Sequence, residues 1–178
     1  MKITVINGSP NPTSRISGII EYTENRLREN GFEIERINVA ELPPEDLIYT
    51  RFNSESIVNA NKLVSESDAL IIASPVYQGA YTGVLKTFLD LIPERGLEDK
   101  TVLPLFIGGS KASLLSMDYS LKPVLSSLGS RNIMGGVFTV GSQVTRNNNG
   151  DVSIDRELLQ FLELEIQKFV MEVQLRQK

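Results

Sequence analysis

The sequence contains no cysteine and no histidine among its 178 residues. These two absences exclude disulfide scaffolds, thiol catalysis, zinc sites with Cys or His ligands, and histidine-based catalytic triads. Any chemistry must therefore come from carboxylates, lysine, tyrosine, serine or a cofactor that carries the difficult step itself. We predict no metal site.

Strong charge and long apolar runs are absent as well. Lys and Arg together number 18 and Asp and Glu 22, so the net charge is -4. This mild acidity argues against nucleic acid or an anionic membrane as the main partner. No apolar run approaches the length of a membrane span, and the first strand meets Gly8 too early for a signal peptide. We expect a cytoplasmic protein with one domain over residues 1–178.

Apolar runs and helical periodicities alternate along the chain. The predicted strands are Ile3–Asn7, Phe32–Asn38, Asp68–Ala73, Thr101–Ile107 and Ile133–Val140. The predicted helices are Ser17–Asn30, Ser54–Glu66, Val84–Ile92, Leu114–Leu128 and Asp155–Val173. Ser17 and Asp155 are candidate N-caps, residues 41–53 an extended connection, and residues 141–151 a polar loop. The alternation predicts an α/β fold with a parallel sheet covered on both faces, in which Pro104 requires a bulge or an unpaired N–H group.

Two common phosphate-binding motifs are missing, the dinucleotide fingerprint G-x-G-x-x-G and the P-loop G-x-x-x-x-G-K-[ST]. After the first strand, the chain instead has hydroxyls and one positive charge, at Ser9, Thr13, Ser14, Arg15 and Ser17. They lead into a helix whose N-terminal N–H groups and dipole favour an anion. This pattern predicts a cradle for a monophosphate; the alternative is a solvated turn with an ordinary N-cap.

A loop rich in proline, glycine and tyrosine follows the third predicted strand, where an open α/β sheet binds ligands. Pro75 and Tyr77 offer flat surfaces, and Val76, Tyr77 and Gly79 offer backbone N–H groups to a planar heteroaromatic ring. The segment Gly108-Gly109-Ser110, after the next strand, is placed to approach the opposite edge of such a ring.

Together the two loops predict a flavin mononucleotide (FMN) site. The alternative for Tyr77 and Tyr81 is that they are surface or interface aromatics. We place Tyr77 near the flavin and leave Tyr81 undecided. Lys86 faces either the site or a subunit contact.

Three segments together carry a resemblance to a known family: Gly8-Ser9-Pro10 with Ser14-Arg15 and Ser17, Ser74-Pro75-Val76-Tyr77 with Gly83-Val84-Leu85-Lys86, and Leu114 to Leu125. The chain resembles the NAD(P)H-dependent FMN reductases, and most closely the reductases of two-component alkanesulfonate monooxygenase systems. The resemblance runs from Met1 to about Gln143, and the tail beyond resembles that family little.

The resemblance implies a flavodoxin-like three-layer sandwich with a five-stranded parallel sheet of order 2-1-3-4-5. It implies FMN at the carboxyl ends of the strands and NADPH as hydride donor. Reduced FMN would then serve a separate flavin-dependent monooxygenase that desulfonates alkanesulfonates. Because geometry supplies most of the catalysis of such a transfer, we predict no catalytic acid–base residue.

The resemblance also implies individual contacts. Phosphate contacts fall on Ser9, Ser14, Arg15 and Ser17, and ring contacts on Pro75, Val76, Tyr77 and Gly79, with Gly108, Gly109 and Ser110 on the far edge. Arg15 is also the nearest candidate for the 2′-phosphate of NADPH. Tyr119 matches a tyrosine that produces a π-bulge at a tetramer interface in the family, although an aromatic in the core is the alternative. Ile16 departs from the family, where a small polar residue is usual.

Three functions fit these features. The first is a reductase that treats FMN as a diffusible substrate. The second is a reductase with tightly bound FMN that acts on quinones, azo compounds or metal ions. The third is a flavodoxin-like electron carrier without enzyme activity, against which the ring loop and an expected dimer or tetramer argue.

Overall fold

The computed structural model describes residues 1–147 and 152–176. Its strands are β1 (Lys2–Asn7), β2 (Glu33–Asn38), β3 (Ala69–Tyr77), β4 (Ala80–Tyr81), β5 (Thr101–Gly108), β6 (Asn132–Ile133), β7 (Val137–Val140), β8 (Val144–Arg146) and β9 (Val152–Ile154). Its α-helices are α1 (Arg15–Glu29), α2 (Pro44–Ile48), α3 (Glu55–Glu66), α4 (Gly83–Leu89), α5 (Lys122–Ser127) and α6 (Arg156–Arg176). Short 3₁₀ turns cover Val39–Glu41, Lys111–Ser113 and Gly141–Gln143, and a π-helical turn covers Met117–Leu121.

The main sheet runs β2-β1-β3-β5, and both β6 and β7 pair with β5 in parallel at its other edge. Since β6 and β7 are successive segments of one position, the predicted order 2-1-3-4-5 is confirmed. The sheet has seven strand segments instead of five, because the fifth position is divided and β4 adds a short antiparallel pairing to the end of β3.

The divided fifth position explains how Pro104 is accommodated in a central strand. Val102 O accepts a hydrogen bond of 2.9 Å from Met134 N, so Pro104, two residues on, directs its backbone to the same neighbour. Opposite Pro104, the segment between β6 and β7 leaves the sheet at Gly136. The φ angle of Gly136 is +83°, and an ideal Cβ there would lie 2.8 Å from Pro104 O. The interruption expected at Pro104 is thus in the adjacent strand, while Pro104 itself stays in register with Ile72.

Alternate residues of the strands enter two separate hydrophobic cores, as expected for a sheet covered on both faces. Val5 and Ile71 pack with α1 and α6, whereas the adjacent Ile6 and Ile72 pack with α3, α4 and α5. All four side chains are completely buried. The three layers leave the ends of the strands free to carry loops.

Several helix boundaries differ from the predictions. Ser14, and not Ser17, occupies the N-cap of α1, because Ser17 N already donates to Ser14 O within the first turn. The single helix predicted over Leu114–Leu128 is divided into a turn, the π-helical turn and α5. Asp155 caps α6 as predicted, with its Oδ1 accepting from the backbone N–H groups of residues 157 and 158.

Two connections predicted to be irregular contain regular structure. Residues 41–53 are not extended, since Pro44 begins α2 and Asp46 accepts a 2.7 Å hydrogen bond from Ser56 of α3. Residues 141–151 contain β8, which pairs with β9 immediately after this segment. Val144 is completely buried, and Val152 packs against Gly18, where an added Cβ would lie 2.5 Å from Val152 Cγ1. Residues 148–151 of that predicted loop lie outside the described part of the chain.

No helix in the described ranges is long and apolar enough to cross a membrane.

Candidate functional site

Four loops meet at the carboxyl edge of the parallel sheet. They follow β1 (residues 8–14), β3 (the turn to β4), β5 (residues 109–113) and β7 (residues 141–143). Parallel strands place their carboxyl ends at one edge, and this is where open α/β sheets bind ligands. All the predicted contact residues belong to these loops, to the strand ends beside them or to the first turn of α1.

A chain of serine hydroxyls lines the loop after β1. Ser9 Oγ lies 2.9 Å from Ser14 Oγ, which lies 3.2 Å from Ser17 Oγ. Ser9 and Ser17 are almost completely buried, and Ser9 Oγ also donates to Asn11 O at 2.9 Å. Three of the predicted phosphate residues therefore form one continuous hydroxyl surface.

The hydroxyl surface stands at the N-terminus of α1, a helix of 15 residues. The first turn contains no acidic residue, and the Ser14 side chain caps no backbone N–H group. Within this first turn Ser17 N donates to Ser14 O, whereas the N–H groups ahead of it have no acceptor within the helix, and the helix dipole makes this end positive. Hydroxyls, N–H groups and dipole together suit a phosphate.

Arg15 extends from the start of α1 across the ends of the neighbouring strands. An ideal Cβ at Gly141 would lie 3.1 Å from Arg15 Nη1 and 3.6 Å from Gly108 O, so the guanidinium reaches the far side of the site. Among the residues that the structure describes, Arg15 forms no ion pair. Its charge is therefore left for a ligand or for solvent at this edge.

The predicted ring loop is a β-hairpin, so the prediction of a loop beginning at Ser74 is wrong. β3 continues through Pro75 to Tyr77, and Val76 pairs with Tyr81 of β4. The turn consists of residues 78 and 79, whose φ angles of 49° and 80° are typical of a type I′ turn. The hairpin holds the Tyr77 side chain 54% exposed at the edge of the sheet.

Thr82 ties this hairpin to the serine loop. Its Oγ1 donates a 2.6 Å hydrogen bond to Gly8 O and accepts one of 3.0 Å from Leu85 N at the start of α4. Its backbone N donates to Ser74 Oγ at 3.0 Å, and Ser74 Oγ donates to the carbonyl of Pro75. Sequence reasoning missed this role of Thr82, because a contact across 74 residues leaves no local signal.

A cleft of about 340 Å³ separates the hairpin turn from the segment after β5. Gly79 lines one wall, and Ser113 and Ser116 line the other. Gly108 is the last residue of β5, and a Cβ there would meet Phe138 Cζ at 2.7 Å. Gly109 has open space where a side chain would be, and the exposed Ser110 follows it.

Tyr119 lies within the π-helical turn and lines the same cleft. Its side chain is 79% exposed, so the alternative of a core aromatic is wrong. The nearby Leu114 and Leu115 are also exposed, at 47% and 56%. The surface formed by these three side chains, the π-turn surface, is where the predicted subunit contact would fall.

Two ionisable groups beside the hairpin, Tyr81 and Lys86, have raised pKa values. Partial burial raises the pKa of Tyr81, although the charge of Lys86 lowers it somewhat. A 2.6 Å hydrogen bond to Asp90 raises the pKa of Lys86. Lys86 is thus held in an ion pair along α4.

Other features of the described residues lie outside this edge. A cleft of about 520 Å³ lies between β2 and α3 and is lined by charged residues of both signs, including Arg36, Glu41 and Lys62. In the described ranges no three acidic side chains come together as a metal site would require.

The comparison with known proteins agrees with this geometry. The family model described as "NADPH-dependent FMN reductase" matches residues 1–145. The chain belongs to the NADPH-dependent FMN reductase family. It is 46% identical to "FMN reductase (NADPH)" of Escherichia coli K12 over 144 residues, which cover 81% of this chain and 75% of that protein. It is 42% identical over 144 residues to the enzyme of that name from Pseudomonas putida KT2440, with 81% and 73% covered.

The fold of this FMN reductase is also that of a solved relative. The crystal structure of NADH:FMN oxidoreductase (EMOB) in its apo form superposes with a TM-score of 0.85 at 32% identity, covering 96% of this chain and 89% of that one. The predicted flavodoxin-like fold, the oxidoreductase class, and FMN and NADPH as small molecules of the family are confirmed. The family match ends in β8, so α6 lies beyond it, as the weak resemblance of the tail predicted.

Proposed function

We propose that this reductase transfers a hydride from NADPH to FMN and releases reduced FMN to a separate flavin-dependent monooxygenase. The observation that carries the proposal is the serine surface at the acid-free N-terminus of α1, joined through Thr82 to the hairpin after β3. This arrangement offers one site for a phosphate and one for a ring at a defined separation.

The phosphate of FMN would be held by Ser9, Ser14 and Ser17 through their hydroxyls and by the N–H groups of the first turn. The continuous 2.9 Å and 3.2 Å contacts between the hydroxyl oxygens support this assignment. Arg15 supplies the positive charge, since no described carboxylate neutralises it. Ile16 is completely buried and packs in the hydrophobic core beneath α1, so its side chain adds no hydroxyl to the phosphate surface.

The ring of FMN would lie against the hairpin, with Pro75, Val76, Tyr77 and Gly79 along one side. Gly108, Gly109 and Ser110 would approach the opposite edge. Support comes from the space above Gly79 and Gly109, where no atom lies within 4 Å of an added Cβ. Backbone N–H groups at such positions can approach a flat ring without a side chain intervening.

The flavin, when bound, accepts the hydride, so the protein is required to orient the two reactants and not to supply acid or base. Consistent with this, Tyr81 and Lys86 are both held in their protonated forms. We expect Tyr81→Phe and Lys86→Gln to retain turnover within a few fold, and loss of turnover with intact FMN binding in either variant would contradict this assignment.

A diffusible flavin is favoured over a tightly bound one because the ring site is open on its outer side. Tyr77 is more than half exposed at the edge of the sheet. An open site buries little ring area and therefore binds weakly. The natural consumer of reduced FMN that we propose is an alkanesulfonate monooxygenase.

The test is anaerobic oxidation of NADPH with the protein at one hundredth of the FMN concentration. Many FMN reduced per subunit would establish a diffusible-flavin reductase. One reduction per subunit would instead establish a bound flavin and direct the search to quinone, azo or metal acceptors. No oxidation of NADPH at all would establish an electron carrier and overturn the proposal.

The consumer is tested separately, by adding an alkanesulfonate monooxygenase with an alkanesulfonate and measuring sulfite release. Sulfite formed at the rate of FMN reduction supports the pairing, and none formed with active monooxygenase contradicts it. The cytoplasmic location stays a prediction.

We also propose that the protein self-associates as a dimer or tetramer through the π-turn surface, because three large apolar side chains are exposed there together.

A further inference from the structure

A second cleft, of about 320 Å³, lies on the other side of the segment after β5. Its walls are the end of β7 and the start of α6, and its lining includes Lys111, Leu114, Phe138, Gln143, Glu157 and Phe161. The Phe161 side chain is 46% exposed, so an aromatic face is open to a ligand. None of the contacts assigned to FMN above lies in this lining.

The two clefts share one short turn. Ala112 and Ser113 of the 3₁₀ turn line the cleft that faces Gly79, whereas Lys111 and Leu114 line the second cleft. A dinucleotide whose nicotinamide lay by the hairpin would therefore extend its adenosine half over this turn and into the second cleft.

Two described cations near the carboxyl edge of the sheet are without a carboxylate partner. Lys86, Lys122 and Lys168 each lie within 2.7 Å of a carboxylate oxygen. In contrast, Lys111 and Arg15 form no ion pair within residues 1–147 and 152–176. Arg15 is assigned above to the phosphate of FMN, whereas Lys111 lines the second cleft and is available there to another anionic group.

We propose that Lys111 recognises the 2′-phosphate of NADPH and thereby selects NADPH over NADH. The proposal rests on the proposed function and names the residue that chooses the hydride donor. The ammonium group binds the phosphate as a charge-assisted donor, and the Phe161 ring offers a face to the adenine. Relatives in the family differ in this respect, since the Escherichia coli protein is named for NADPH and the EMOB structure for NADH.

Substitution of Glu157 is predicted to change NADPH binding in the opposite direction to substitution of Lys111. Its carboxylate belongs to the first turn of α6 and lines the same cleft, so it repels a phosphate bound to Lys111. Removing that charge should strengthen NADPH binding, whereas removing the charge of Lys111 should weaken it. A general disturbance of the cleft would not produce changes of opposite sign.

The binding test uses adenosine 2′,5′-bisphosphate and adenosine 5′-monophosphate, measured by calorimetry on the flavin-free protein. The variants are Lys111→Gln, Glu157→Gln and, as a matched loss of one exposed positive charge elsewhere, Lys62→Gln on α3. We expect Lys111→Gln to weaken the bisphosphate about tenfold, the range of one charge-assisted hydrogen bond, and to leave the monophosphate unchanged. Glu157→Gln should tighten the bisphosphate, and Lys62→Gln should change neither probe.

The kinetic test compares kcat/KM for NADPH and NADH in the same variants. A fall of about tenfold for NADPH in Lys111→Gln, with NADH within twofold of wild type, agrees with the proposal. Equal losses with both nucleotides, or no loss with either, would overturn it, as would a wild-type protein that binds both probes equally. If the wild-type protein reduced no FMN yet bound the bisphosphate through Lys111, the proposed function would fail while this assignment stood.

Discussion

Thr82 Oγ1 donates a 2.6 Å hydrogen bond to the carbonyl oxygen of Gly8. The two residues belong to different loops, one after β3 and one after β1, and Thr82 is 1% exposed. The same oxygen accepts from Leu85 N and so caps α4. One buried hydroxyl thus sets the distance between the proposed phosphate surface and the proposed ring surface.

Replacing that hydroxyl should affect flavin binding more than an ordinary cap would. Thr82→Val keeps the shape but leaves the Gly8 carbonyl and the Leu85 N–H group unpaired, which costs about 1–3 kcal/mol of stability. We expect FMN affinity, measured by quenching of flavin fluorescence, to fall about tenfold.

Two further variants isolate the role of Thr82. Thr82→Ser should restore FMN affinity because it keeps Oγ. Ser54→Ala removes the matching N-cap of α3, where Ser54 Oγ accepts from Ile57 N, and should cost stability alone. Wild-type FMN affinity in Thr82→Val would disprove the positioning role.

The serine surface should be specific for the phosphate of FMN. Ser14→Ala and Ser17→Ala each remove one hydroxyl of the surface, and we expect FMN to bind several fold more weakly while riboflavin, which lacks the phosphate, is unaffected. Ser65→Ala removes an exposed hydroxyl on α3 that donates to Lys62 O and serves as the control. Equal losses for FMN and riboflavin would place these hydroxyls at the ring instead.

Gly8 is required by the close approach of α4. A Cβ at residue 8 would lie 2.5 Å from Leu85 Cβ, a separation that neither backbone can relieve without moving. We expect Gly8→Ala to lower the free energy of unfolding by about 1–3 kcal/mol in urea titrations and to weaken FMN binding. Gly135→Ala, where an added Cβ meets no atom within 4 Å, should leave both quantities near their wild-type values. Full stability in Gly8→Ala would show that α4 is free to shift.

Tyr22 contributes to the free energy of unfolding in a way that depends on pH in the alkaline range. Burial and a hydrogen bond to Glu163 raise the pKa of Tyr22 from 10.0 to about 12. Because the folded state holds this proton more tightly than the unfolded state, the contribution is complete below pH 10 and is lost as the pH rises through about 12. The difference in unfolding free energy between wild type and Tyr22→Phe should therefore shrink across this window. The lysines that titrate in the same range are present in both proteins, so their contributions cancel in this difference. If the difference did not depend on pH, the assignment would be contradicted.

Tyr119 is expected to govern self-association without affecting the fold. Its side chain is 79% exposed, so Tyr119→Ser should leave the melting temperature of the monomer unchanged. The same substitution removes the most exposed aromatic of the π-turn surface and should shift the mass measured by light scattering toward the monomer. Phe52→Ser, a matched loss of an exposed aromatic away from this surface, should leave the mass unaltered. An unchanged mass in Tyr119→Ser would place the interface elsewhere.

The local sequence pattern was sufficient to predict much of the fold and two of the loops at the site. The alternation of apolar runs and amphipathic segments predicted a parallel sheet covered by helices on both faces, because this pattern follows from which residues are buried. The strand order 2-1-3-4-5 was implied by the resemblance to the FMN reductases. The hydroxyl-rich loop before α1 and the segment around Pro75 were likewise identified from composition, and the structure brings both to the carboxyl edge of the sheet.

Tertiary contacts decided the remainder. Residues 74–81 form a hairpin where a loop was predicted, and Thr82 N stabilises it by donating a hydrogen bond to Ser74 Oγ. The interruption expected at Pro104 lies in the neighbouring strand, at Gly136. The hairpin is a local structure around the two-residue turn Gln78-Gly79. The contact at Gly136, in contrast, has no local signature, since it joins segments that are brought together by the completed sheet. The relation of Thr82 to Gly8 has the same origin. Composition and periodicity determine which segments are buried and which carry hydroxyls, whereas the distances between loops depend on hydrogen bonds that exist once the strands have been assembled.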